Sequence, residues 1–139
     1  MAKVLFLHKA DTTPSPIEKK TSLELGKMGE DLASRHLIDQ GYVILEKNYR
    51  RGNLEIDLIA LDGDELVVAE VKTRSEGTLL RPETAVDHRK RKALMKLANE
   101  YMKSHQREED IRFDIISIIN TEHGPHIDHI KDAYNVFCY

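Results

Sequence analysis

Tryptophan is absent from the 139-residue chain, phenylalanine occurs three times, and aromatic residues together make up 6%. The chain therefore offers no aromatic-rich platform for stacking nucleic-acid bases. Cysteine occurs once, at Cys138, which excludes an intrachain disulfide and a cysteine-based zinc site and fits a reducing compartment. With 7 Gly and 4 Pro, neither a fibrous nor a low-complexity class fits. Long apolar runs are also missing. Val4-Leu5-Phe6-Leu7, the longest near the start, falls short of the ~7–15 residues of a signal-peptide core and the ~20 of a membrane span. The expected location is the cytoplasm, with no membrane partner. Neither sign of charge dominates: 21 Lys and Arg stand against 24 Asp and Glu, for a net charge of -3, so a nucleic-acid partner would have to be held by a local patch.

What remains is a composition of 40% hydrophobic and 32% charged residues in a length suited to one domain. Residues 1–20, with Asp11-Thr12-Thr13-Pro14-Ser15-Pro16, read as an N-terminal appendage or linker, and residues 21–139 as a single α/β domain. Leu25, Met28, Leu32, Ala33 and Leu37 recur at helical spacing between Thr21 and Gln40, with Gly41 as a stop. Strands are expected at Tyr42–Leu45, Leu54–Ala60, Glu65–Thr73 and Ile111–Ile119, with an edge strand at Ile127–Ile130. A second helix is expected from Thr84 to about Ser104, through Leu94, Leu97, Ala98 and Tyr101. The order α-β-β-β-α-β-β predicts a mixed sheet with helices packed on it.

The strands around Asp62-Gly63-Asp64 should form a hairpin. Regular alternation puts Leu54, Ile56 and Leu58 on one face and Glu55 and Asp57 on the other. A two-residue loop at 62–63 sets position 55 opposite 70, whereas a loop at 63–64 sets 57 opposite 70 and 55 opposite 72. Either puts Glu55, Asp57, Glu70 and Lys72 on one face. Three facing carboxylates repel, and a hard divalent cation is the simplest compensation. Mg2+ (or Mn2+) is commonly held by one or two carboxylates plus waters and phosphate oxygens, which Asp57 and Glu70 would supply. Lys72 would then orient or help deprotonate the attacking water, or stabilise charge on a phosphate. The competing reading is a cross-strand ladder of charges on a solvated face. Against it, Val67-Val68-Ala69 with Val71 reads as a strand buried on both faces.

Asp57 followed by Glu70-Val71-Lys72 resembles the PD-(D/E)xK nuclease superfamily, which includes restriction endonucleases and Holliday-junction resolvases. The wider set Gly29-Glu30, Gly41-Tyr42, Asn48-Tyr49-Arg50, Glu55-Ile56-Asp57-Leu58-Ile59-Ala60, Glu70-Val71-Lys72-Thr73-Arg74, Ala85-Val86 and Arg112-Phe113-Asp114 resembles the YraN-like family of bacterial proteins, from about Glu24 to Tyr134. Leu54 and Arg81 stand where that family usually has glycine. The resemblance implies a restriction-endonuclease-like αβββαβ core with the catalytic cluster at the bent edge of the sheet. It also implies that Asp57 and Glu70 bind the metal, that Lys72 is the catalytic lysine, and that Glu30 is an additional acidic ligand from the first helix.

Other features are less specific. Arg89, Lys90, Arg91, Lys92, Lys96 and Lys103 oppose only Asp87 and Glu100 between positions 84 and 103. Crowding cations at a helix start is unfavourable, and an anionic phosphate backbone would relieve it, with Arg74 close by. A solvated basic face is the alternative. His123, His126 and His129 read as edge-strand surface, since 126 and 129 point to opposite faces of a strand. Together these readings predict a divalent-metal-dependent endonuclease acting on DNA, on branched or damaged substrates. The alternative is a catalytically weak or inactive nucleic-acid-binding or adaptor module with the same fold. A homodimer would be required for junction resolution, although no heptad or broad apolar stripe announces an interface.

Overall fold

The computed structural model describes residues 21–77 and 88–134. Residues 1–20, expected as an appendage or linker, residues 78–87, with Arg81, Ala85-Val86 and the start expected for the second helix at Thr84, and Cys138 lie outside the described residues. Thr21 caps the first helix, α1 (Ser22–Asp39): its hydroxyl accepts from the Glu24 N–H at 3.1 Å, while its own N–H donates to the Glu24 carboxylate at 3.0 Å. Gly41, at φ 92°, ends the helix in a conformation that other residues rarely adopt.

Among the described residues five strands follow, β1 (Val43–Arg51), β2 (Leu54–Asp62), β3 (Glu65–Ser75), β4 (Asp110–Thr121) and β5 (Gly124–Ile130). The second helix, α2 (His88–Ser104), lies between β3 and β4 in the chain. The sheet has the order β1-β2-β3-β4-β5, parallel between β3 and β4 and antiparallel elsewhere. The mixed α/β class and the α-β-β-β-α-β-β order expected from the sequence are present. β1 is longer than expected, running on to Arg51: the polar stretch Glu46-Lys47-Asn48 gives no apolar signal in the sequence, yet β1 stays paired with β2 as far as Arg51↔Leu54.

Two apolar layers enclose the sheet. Ala33 and Leu37 of α1 pack with Leu58, Ala60, Val67, Ala69, Ile116 and Ile118 on one face. Leu94, Leu97, Ala98 and Tyr101 of α2 pack with Ile56, Ile59, Leu66, Val68, Phe113 and Ile115 on the other. β3 and β4 are thus apolar on both faces, as central strands between helices must be.

Membership of these layers overturns the regular alternation expected along β2. Ile56 belongs to the α2 layer, yet Leu58, two residues on, belongs to the α1 layer. β2 turns over at Asp57. Its partner β1 pairs Lys47 with Leu58 and Tyr49 with Ile56, and the residue between, Asn48, has a left-handed φ of 53°. Both strands therefore change face together, and the turnover releases Asp57 from a simple up-or-down position.

Candidate functional site

The hairpin closes as Asp62↔Glu65, with Gly63 at φ 62° in the first loop position. That register carries Asp57 towards Glu70, but regular pairing stops at Leu58↔Ala69. Beyond it the two strands part. The Val71 N–H, freed from a ladder partner, donates instead to Asp57 Oδ2 at 2.8 Å. Asp57 thus bridges from β2 to the β3 backbone and lines a cleft of about 590 Å3. Glu55, Glu70 and Lys72 line the same cleft, α2 contributes Arg89 and Lys90, and Phe113 and Tyr134 form apolar wall.

Glu70 is the buried member, with a side chain 9% exposed. Lys72 Nζ lies 3.1 Å and Lys90 Nζ 2.9 Å from the same oxygen, Oε1. The other oxygen, Oε2, is buried without a hydrogen-bond partner, an arrangement that is costly for a carboxylate. Asp57 is pushed up to about 6, chiefly by burial and further by the charges of Glu30, Glu70 and Glu55, against the opposing hydrogen bond from Val71. Burial alone would lower Lys90, but its hydrogen bond to Glu70 and the charges of Glu70 and Asp57 outweigh that and hold it above the ordinary lysine value. Tyr134, stacked on Phe113 at 4.8 Å, is raised by burial and by the charge of Glu70.

Glu30 acts on Asp57 from the α1 side rather than from the cleft wall. Its approach depends on Gly29, where an added Cβ would overlap the Thr73 side chain. Glu55 lines the cleft, but its Oε2 is engaged by Arg50 Nε at 3.2 Å. Asp57, Glu70 and Lys72 therefore come together, while Glu30 lies outside the cleft lining and Glu55 is paired with Arg50. Among the described residues, no three His, Cys, Asp or Glu side chains are gathered tightly enough to hold a metal ion by themselves. The donor set suits a hard cation held by two carboxylates with water and a ligand's oxygens, and the unpartnered Glu70 Oε2 supplies a lone acceptor for it.

Of the basic residues singled out, Arg89 and Lys90 face the cleft, while Lys92 and Lys96 are exposed and outside its lining. Arg74 is also outside the lining, with a buried Nε that has no partner. Arg91 hydrogen-bonds with His88 and lies 5.7 Å over the Tyr134 ring.

Pattern reasoning missed a second polar assembly, on the α1 side. Arg112 donates to both oxygens of Asp114 at 2.9 Å, and to Asp62, Glu65 and the Tyr42 hydroxyl at 2.8 Å. His129 bonds Asp114 at 2.7 Å and His36 at 3.2 Å. This corrects the expectation of a surface histidine triplet: His126 and His123 are exposed, but the His129 side chain is 9% exposed and turned inward. A signal did exist in the charged pair Arg112 and Asp114, two apart on one strand face and followed by Ile115-Ile116.

The chain matches a model of "Uncharacterised protein family UPF0102" over residues 29–118. It is 45% identical over 111 residues to a UPF0102 protein of Bacteroides thetaiotaomicron, covering 80% of this chain and 92% of that one. A UPF0102 protein of Christiangramia forsetii is 43% identical over 114 residues, covering 82% and 96%. One from Thermodesulfovibrio yellowstonii is 43% identical over 112 residues, covering 81% and 96%.

Proposed function

The chain belongs to protein family UPF0102, and from its cleft we propose a divalent-metal-dependent endonuclease that hydrolyses phosphodiesters in DNA, on branched or damaged substrates. The observation that carries this reading is the carboxylate pair at the parting of β2 and β3: Asp57 is raised to about 6, and Glu70 is buried with Oε2 unpartnered. Such a pair holds Mg2+ (or Mn2+), with Glu30 adding negative charge from α1. The chemistry that ion supplies when bound is positive charge against a phosphodiester under attack. Lys72, fixed two residues from Glu70 on the same strand face, orients the attacking water or stabilises charge on the phosphate. Arg89 and Lys90 stand on the opposite wall, where a DNA backbone would lie.

A nucleic-acid-binding or adaptor module without catalysis is the second reading. It is favoured by the lack, among the described residues, of a three-ligand metal cluster. Cleavage assays on flaps, junctions and single strands with Mg2+ or Mn2+ separate the two. The endonuclease reading expects cleavage that is lost in Asp57→Ala and Lys72→Ala while both stay folded by circular dichroism. Binding of the same DNAs with steep salt dependence and no cleavage would favour the module.

A further inference from the structure

Two ammonium groups share Glu70 Oε1, but they are held differently. Lys72 belongs to the same strand as Glu70, so its 3.1 Å contact follows from the strand's two-residue repeat. Lys90 reaches across the cleft from the first turn of α2, its side chain is 43% exposed, and it makes the shorter contact, 2.9 Å. It lines the same cleft as Asp57 and Glu70. An ammonium and a divalent cation seek the same oxygens, and a long, solvated lysine can leave with little packing lost.

We infer that Lys90 is an internal counter-cation of the cleft, neutralising the carboxylate pair of the cation-free protein and being displaced from Glu70 when a divalent cation binds. The inference rests on the proposed metal site and adds a competition to it. Once displaced, the Lys90 ammonium stays on the cleft wall, where an anionic ligand can take it up. Cation and polyanion binding are then linked, each favouring the other.

Calorimetric titration of the full chain with Mn2+ alone tests this. Wild type is compared with Lys90→Met, with Lys90→Gln, and with Lys103→Met, which removes the same charge about 20 Å along the helix. Both Lys90 variants should bind Mn2+ about fivefold more tightly than wild type, and Lys103→Met within twofold of it. A purely structural lysine would leave the affinity unchanged or weaken it. Lys90→Gln keeps a donor for Glu70, so it decides the outcome if Lys90→Met does not fold. Unchanged or weaker binding in the Lys90 variants, with wild-type binding abolished by Asp57→Ala, would overturn the competition and leave the metal site standing. Absence of Mn2+ binding in every protein would overturn both.

Discussion

Asp57 sits where burial and three neighbouring carboxylates all oppose its charge, with one backbone N–H in compensation. Its folded-state value of about 6 lies above the ordinary 3.8, so the folded chain binds that proton more tightly than the unfolded chain does. The resulting cost is absent below the ordinary carboxylate range, grows as pH rises, and is complete above about 6. Asp57→Asn keeps an acceptor for Val71 and removes the charge. In EDTA at pH 7.5 it should stabilise the fold by about 1–2 kcal/mol, a figure reduced from the full shift because the cleft is open to water. Thermal melts from pH 4 to 8 check this: the gain should shrink towards pH 4, and a variant less stable than wild type at pH 7.5 would contradict it. The same proton competes with a cation, so Mn2+ affinity should rise between pH 5 and 7. The residue types of this cluster were legible from the hairpin register. The turnover that lets Asp57 reach Val71 was not, because it depends on Asn48 in another strand.

α1 is held against β3 by the absence of a side chain at Gly29, and that contact brings Glu30 within electrostatic range of Asp57. Gly29→Ala should cost about 1–3 kcal/mol through overlap with Thr73, less about 1 kcal/mol regained in helix propensity. Gly26→Ala, with nothing within 4 Å of the added methyl, should be neutral or stabilising. Chemical denaturation of both, and of Gly29→Ala with Thr73→Ala, checks the assignment. If the double variant recovers nothing, the Thr73 contact is not the cause. Elements whose signals are local were legible: the first helix between Thr21 and Gln40, Gly41 as stop, Gly63 in the loop, and the Leu94, Leu97, Ala98, Tyr101 stripe. His129 was not, since its partners Asp114 and His36 lie 15 and 93 residues away. Lys90 read as one cation in a basic run, and only the fold sets it against Glu70.

Across the whole molecule, the Arg112 and Asp114 assembly joins pieces that the sheet alone leaves separate. It reaches α1 through His36, the β2–β3 hairpin through Asp62 and Glu65, β5 through His129, and the turn after β5 through the Asp132 N–H at 3.0 Å. Burial would raise Asp114, but hydrogen bonds from His129, Arg112 and Asp132 outweigh it and lower its value. Its contribution is therefore full above the ordinary carboxylate range and is lost as pH falls through the lowered value. Asp114→Asn should cost about 3 kcal/mol at pH 7, seen as an earlier urea midpoint with the m-value kept. An unchanged midpoint would mean that the assembly is ornamental to stability. The left-handed turn at Asn48 has a consequence of another kind. Among the described residues β1 is an outer strand of nine residues, paired with β2 alone, and its other side is a row of backbone donors and acceptors. Such a row invites another chain to extend the sheet, and growth by that route ends in aggregates. The kink at Asn48, the shift in pairing between Ile44 and Glu46, and the cations Lys47, Arg50 and Arg51 break the row into pieces too short and too charged to template a neighbour. Among the described residues, that guards the β1 edge of the five-stranded sheet against growth.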